Sequence, residues 1–128
     1  MLSTGSIAIS GLNAAATRLG VAANNLVNAR SSAPATVEGT VLGAVYQPQQ
    51  VTQSSLPTGG VMTTLVPVTP GYFIASDANS PTGFSAYPNV DVGAELVNLS
   101  IAASSYKAAA RVLSVEASLG DSLIDILS

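Results

Sequence analysis

The chain has no cysteine, no histidine and no tryptophan, and charged residues make up only 9% of its 128 positions. Without cysteine there is no disulfide framework and no thiolate metal site. Without histidine the commonest general base and transition-metal ligand are missing as well. The remaining candidates for acid–base work are two carboxylate pairs, Asp91 with Glu95 and Asp121 with Asp125, each one helical turn apart. Nothing around them reads as a substrate cleft, and solvated helix ends account for them better. No glycine-rich phosphate loop is present, because GTVLGA and PTGG lack both the spacing and a following helix. We therefore expect no enzyme activity, no cofactor and no catalytic or metal site. Four basic residues against seven acidic ones argue against nucleic-acid binding.

Long apolar runs are missing too. Arg18, Asn24 and Asn25 interrupt the first Ala/Leu-rich stretch, and Glu95, Lys107 and Arg111 interrupt the last. Neither reaches the roughly 20 apolar residues of a membrane span, so no transmembrane segment is expected. The opening residues do not read as a basic leader, apolar core and cleavage site, so export by the Sec route is not indicated. At 128 residues the chain makes one domain at most, with a modest core.

What is present lies at the ends. Ala8, Leu12, Ala15, Leu19, Ala22, Leu26 and Ala29 step by four and three without a break. So do Val92, Leu96, Leu99, Ala103, Tyr106, Ala110, Leu113, Ala117, Gly120, Ile124 and Leu127. Heptad spacing held this long predicts a coiled-coil seam, with two amphipathic helices of an ordinary bundle as the alternative. Leu12, Leu19 and Leu26 are expected to face Leu113, Tyr106 and Leu99 in antiparallel order. Small residues on the helix sides, among them Gly5, Gly11, Ala16 and Gly20, have a reason to stay small if further helices approach closely.

The punctuation divides the chain into an N-terminal helix over 1–30, a middle arm over 31–88 and a C-terminal helix over 89–128. Pro34 steers the residue before it out of the helical region and closes the first helix. Pro88 and Asn89 open the last, with Asn89 or Asp91 available as its N-cap. In the middle, VLGAVY and GVMTTLVPV alternate loosely enough for short strands or a hairpin, and Asp77–Gly83 is turn chemistry throughout. The fold expected is mainly α, with the terminal helices paired as one coiled-coil domain beside a short β-rich or irregular arm.

Charge is unevenly placed. Residues before Ser31 carry Arg18 and Arg30 and no acid, whereas five of the seven acids lie from Asp91 onward. The two ends therefore attract each other weakly. Asp121 and Asp125 oppose the dipole of the last helical turns, as a frayed, solvated end or an end facing an external donor would allow.

The residues carry a family resemblance at both ends. SGLNAAATRLGVAANNLVNA, Ser10 to Ala29, resembles the N-terminal motif of bacterial flagellar axial proteins, most specifically at ANNLVN. YPNVDVGAELVNL, Tyr87 to Leu99, is most similar to the proximal rod subunits. The resemblance covers roughly the first 30 and last 50 residues. It implies a structural subunit of the flagellar basal-body rod that polymerises by helix packing into a hollow, torque-transmitting shaft. It also implies location in the periplasmic rod, and export by the flagellar type III apparatus without a cleaved signal peptide. The partners implied are other rod subunits, further copies of the chain and that apparatus. A distal rod, hook or junction subunit is the alternative within the class, and a small soluble coiled-coil adaptor the alternative outside it.

Subunit packing is assigned to Leu12, Leu19, Asn24, Asn25, Leu26, Asn28, Leu96, Leu99, Tyr106 and Leu113. For the asparagines two accounts stand side by side. Asn28 closes the helix and its neighbours are incidental, or Asn24 or Asn25 hydrogen-bonds a neighbouring subunit and fixes register.

Overall fold

The structure is a computed structural model and describes residues 3–127. Helix α1 runs over Thr4–Asn28, strands β1 to β5 over Ala33–Ala35, Gln49–Ser55, Val61–Pro67, Tyr72–Ser76 and Phe84–Pro88, and helix α2 over Val92–Leu127. Ser3 caps α1 by accepting the Ser6 N–H at 3.2 Å. Asp91 caps α2 by accepting the Ala94 N–H at 3.0 Å. Of the two candidate caps for α2, Asn89 instead donates to the Pro70 carbonyl and ties the helix entry to the preceding loop.

These elements correct the expected fold class. The chain is not a mainly α molecule built on a terminal coiled coil. Its two helices, 49% of the described residues, stand beside five strands in two antiparallel sheets, 22%, which makes an α-helix-plus-β-sheet fold. One sheet is the hairpin β2–β3, paired over seven residues from Gln49 opposite Pro67 to Ser55 opposite Val61. The other has the order β1-β5-β4, with β5 in the centre.

The physical reason for the correction is side-chain size. The buried face of α1 consists of Gly5, Ala8, Ala14, Ala15, Ala22 and Asn25, and α2 buries only Ala102. Alanine satisfies heptad spacing without supplying a knob that fills a hole. The larger seam residues Leu96, Tyr106, Ile124 and Leu127 are exposed. The hairpin packs on α1 as well, so α1 is covered by a helix on one side and strands on another.

The helices still run antiparallel, in a register the heptad count did not give. Gly11 lies against Ala109, and Asn25 bonds to Glu95. Leu12, Leu19 and Leu26 are thereby offset from Leu113, Tyr106 and Leu99 by about five residues, more than one 3.6-residue turn. Near the start of α1, Gly5 sits under the Glu116 carboxylate, and a Cβ there would lie 2.5 Å from Oε2. That oxygen is buried and has no hydrogen-bond partner among the described residues, but it lies beside a helix start whose dipole favours an anion.

The middle is more regular than a loose arm. The β2–β3 turn needs left-handed backbone at Gly59 (φ +97) and Gly60 (φ +92), which glycine adopts without steric cost. Of the two segments with strand-like alternation, Val61–Pro67 is a strand, whereas VLGAVY contributes only the bridge from Val41 to Ala35. Prolines stand where a ladder tolerates them: Pro34 is on the edge strand β1, and Pro67 and Pro88 end β3 and β5.

The 77–83 turn is organised by Asp77. Its carboxylate accepts from the Asn79 N–H at 2.9 Å, the Ser85 hydroxyl at 2.8 Å and the Tyr87 hydroxyl at 3.1 Å. The Asn79 amide first, then the Ser85 hydroxyl, hold this carboxyl below its ordinary value; partial desolvation opposes them and the Tyr87 hydroxyl adds to them. A folded-state value below the unfolded one stabilises the fold above the ordinary carboxylate range, and that stability is lost as pH falls through the lowered value. Asp77→Asn should therefore be least stable relative to the parent at neutral pH, and the gap should close in acid. Thermal melts across pH 7 to 2 test this. A gap independent of pH would mean the carboxylate charge plays no part in the turn.

Candidate packing site

Asn25 is the centre of the molecule's polar architecture. It is fully buried, and its amide reaches three chain segments at once. Nδ2 donates to the Gln49 carbonyl at 2.7 Å and to Glu95 Oε1, while Oδ1 accepts from the Tyr46 hydroxyl at 2.9 Å and the Gln49 N–H at 3.2 Å. Two acceptors face one end of the amide and two donors the other, so only one orientation satisfies all four bonds. The arrangement ties α1 to the start of β2, to the loop before it and to α2. Burial first, and then the Glu95 carboxylate nearby, push the Tyr46 hydroxyl above its ordinary value, which keeps it a donor to Asn25.

All four side-chain hydrogen bonds of Asn25 are made within the chain. Asn24 is exposed, and Asn28 is half-buried with its side chain donating to the Asn24 carbonyl at 2.9 Å. Leu12, Leu19, Leu26, Leu99 and Leu113 are half-buried along the helix pair, and Leu96 and Tyr106 face outward. The structure gathers Asn25 with Glu95, a residue the sequence marks only as the partner of Asp91 in a carboxylate pair and as an interruption of the last apolar stretch. It adds Tyr46 and Gln49, which no periodicity signals. A lone tyrosine in the loop before β2 is the one hint a sequence offers there.

A second polar tie fixes the far end of the hairpin: Ser10 Oγ accepts the Val61 N–H at 3.1 Å. Between the ties, α1, α2 and the hairpin leave a small polar cavity of about 200 Å³ lined by Arg18, Gln50, Glu95 and Asn98 among others. Among the described residues there is no group of three or more His, Cys, Asp or Glu placed to hold a metal ion. No described helix is long and apolar enough to cross a membrane.

Outside this clamp the helices present large apolar side chains to solvent. Ile7, Ile9 and Val27 on α1, and Val97, Ile101, Val112, Val115, Leu119 and Ile126 on α2, are all exposed. Scattered exposed apolar residues are ordinary, but contiguous ones mark surfaces that associate. No protein-family model matches this chain, and no curated protein matches it either.

Proposed function

We propose that the chain is a structural subunit of the bacterial flagellar basal-body rod, most similar to the proximal rod subunits, and that it works by packing its helices against neighbouring subunits in a hollow, torque-transmitting shaft. The observation that carries this reading is the uncovered apolar surface of both helices, in the two segments that resemble the axial proteins. A chain with 9% charge presents few desolvation obstacles to such packing. In this reading the neighbours are other rod subunits and further copies of the chain, the site is the periplasmic rod, and the route is the flagellar type III export apparatus.

Gly20 supplies the test. It lies in the interior of α1, exposed, with nothing within 4 Å of where a Cβ would sit. In the isolated chain Gly20→Leu should therefore stabilise the helix by about 1 kcal/mol through propensity alone. In a shaft the same side chain meets a neighbour and overpacks it by about 1–3 kcal/mol per contact, repeated at every copy. Cells carrying Gly20→Leu should lose motility while the purified chain melts higher. Full motility together with the more stable chain would sink the proposal and favour a soluble adaptor.

A further inference from the structure

The hairpin has one edge that no described part of the chain covers. Its closing bonds, Val68 N–H to the Pro48 carbonyl at one end and Leu56 N–H to the Gly60 carbonyl at the other, fix which residues bond across it. With Gln49 opposite Pro67, the even-numbered residues bond across the pair and the odd-numbered ones point outward. Two outward positions are taken: Gln49 bonds to Asn25, and the Val61 N–H to Ser10. On β3 the outward N–H and C=O of Thr63 and Leu65 meet no partner among the described residues, and Leu65 is 48% exposed.

The other strand edges are less open. Beside β2, one cavity is lined by Val51 with Asn98 and another by Gln53 with Ser105, so α2 stands along that edge. The bridge from Val41 and the bond from the Leu42 N–H to the Pro34 carbonyl cover β1. Strand β4 is shorter and runs into Asp77, a charge of the kind that guards edges. Strand β3 has no such guard: no charged residue occurs from Gly39 to Ser76, and its one proline comes last.

A row of donors and acceptors at strand spacing is matched by another extended backbone. A second β3, turned antiparallel, presents the same groups in the order required. The register is narrowed by Ser10, which occupies the Val61 N–H, and by Pro67, which has no N–H to give. Centring the pair on Leu65 meets both conditions. The two Leu65 residues exchange N–H···O bonds, and each Thr63 N–H reaches the partner's Pro67 carbonyl. The two Leu65 side chains then cover each other, and Thr64 lies opposite the partner's Val66, on a stretch with no charge to repel a copy. We infer that the purified chain forms a two-fold dimer through β3, joining two hairpins into one four-stranded sheet. The contact closes on itself and does not propagate. It goes beyond the proposed function and does not depend on it, because it concerns the chain outside any assembly.

Leu65→Pro removes both bonds of the central pair and none within the hairpin, since that N–H points outward. By sedimentation velocity the parent should be a dimer at about 100 μM, and Leu65→Pro should weaken it about tenfold or more. Ile74→Pro makes the same change on the outer edge of β4 and should leave the dimer intact. Circular dichroism checks that each variant keeps its fold. The register is read with cysteine, which the chain lacks. In an equal mixture of Thr64→Cys and Val66→Cys chains the two thiols face each other across positions about 4.5 Å apart. Mild oxidation should link one kind to the other, and neither kind should link to itself. A monomeric parent, a Leu65→Pro dimer as tight as the parent, loss of the dimer in folded Ile74→Pro, no linking in the mixture, or self-linking of either kind would each overturn the inference.

Discussion

Asn25→Asp lowers the stability of the chain by about 3–5 kcal/mol at neutral pH, the range for leaving a buried charge uncompensated. The substitution keeps the shape of the side chain and changes only its chemistry. The Nδ2 group that donates to the Gln49 carbonyl and to Glu95 Oε1 becomes a second acceptor, so two hydrogen bonds turn into oxygen–oxygen repulsions. One of these sets a new carboxylate against that of Glu95 in a site with no access to water for Asn25. Like charges so placed raise the protonation tendency of the pair in the folded state. A raised folded value means the fold is least penalised below the ordinary carboxylate range and most penalised above it. The variant should therefore recover part of its loss as pH falls; its gap to the parent closes in acid, as for Asp77→Asn, but here because a penalty in the variant is relieved rather than because a stabilisation in the parent is lost. Urea denaturation at pH 7 and pH 4 measures both quantities. Parental stability at pH 7 would show that the four-way clamp does not hold the fold together.

A second large effect belongs to Ala102, the only buried residue of α2 and completely inaccessible. Ala102→Leu forces three more heavy atoms into a site that is already completely closed to solvent. Overpacking of this kind costs about 1–3 kcal/mol, and here the strain has a second outlet. Pushing α2 away from α1 lengthens the Asn25–Glu95 bond two turns away. The same change at exposed Ala117 should be close to neutral, since leucine and alanine are both good helix formers. Thermal melts of the two variants decide the matter. Equal melting would mean that the helix pair has slack that the buried alanines do not reveal.

How far the sequence foretells this structure depends on where each segment's signal resides. The helices are readable because apolar residues recur over many turns, and because Pro34, Pro88 and Asp91 mark their edges. The 77–83 turn is readable because its chemistry is local. Strand β2, QQVTQSS, is not, because its pattern is almost wholly polar and its partner β3 alone supplies the apolar face. The heptad count misled for a related reason. Ala8, Ala15 and Ala22 keep perfect spacing and are buried, but what they encode is close approach rather than a leucine seam, and the register is then set by Asn25 with Glu95. Among the candidate packing residues, Asn25 stands out in the sequence, yet its partners lie 21 to 70 positions away. No periodicity carries information over that distance.

The two ties between α1 and the hairpin act as a gauge. Ser10 and Asn25 are fifteen residues apart on the helix, a rise of about 22 Å. The chain segments they hold, Val61 with its partner Ser55 at one end and Gln49 at the other, are separated by six strand residues, about 20 Å. The lengths match because one element climbs 1.5 Å per residue and the other more than twice as much. Such a match tolerates no change in count on either side. Inserting two residues between Gln49 and Ser55 would lengthen the strand by about 7 Å while the helix stayed as it was, and one tie would have to open. The hairpin's length is thus dictated by a helix it is not part of, and an insertion that a free loop would absorb becomes, in this fold, an error of measurement.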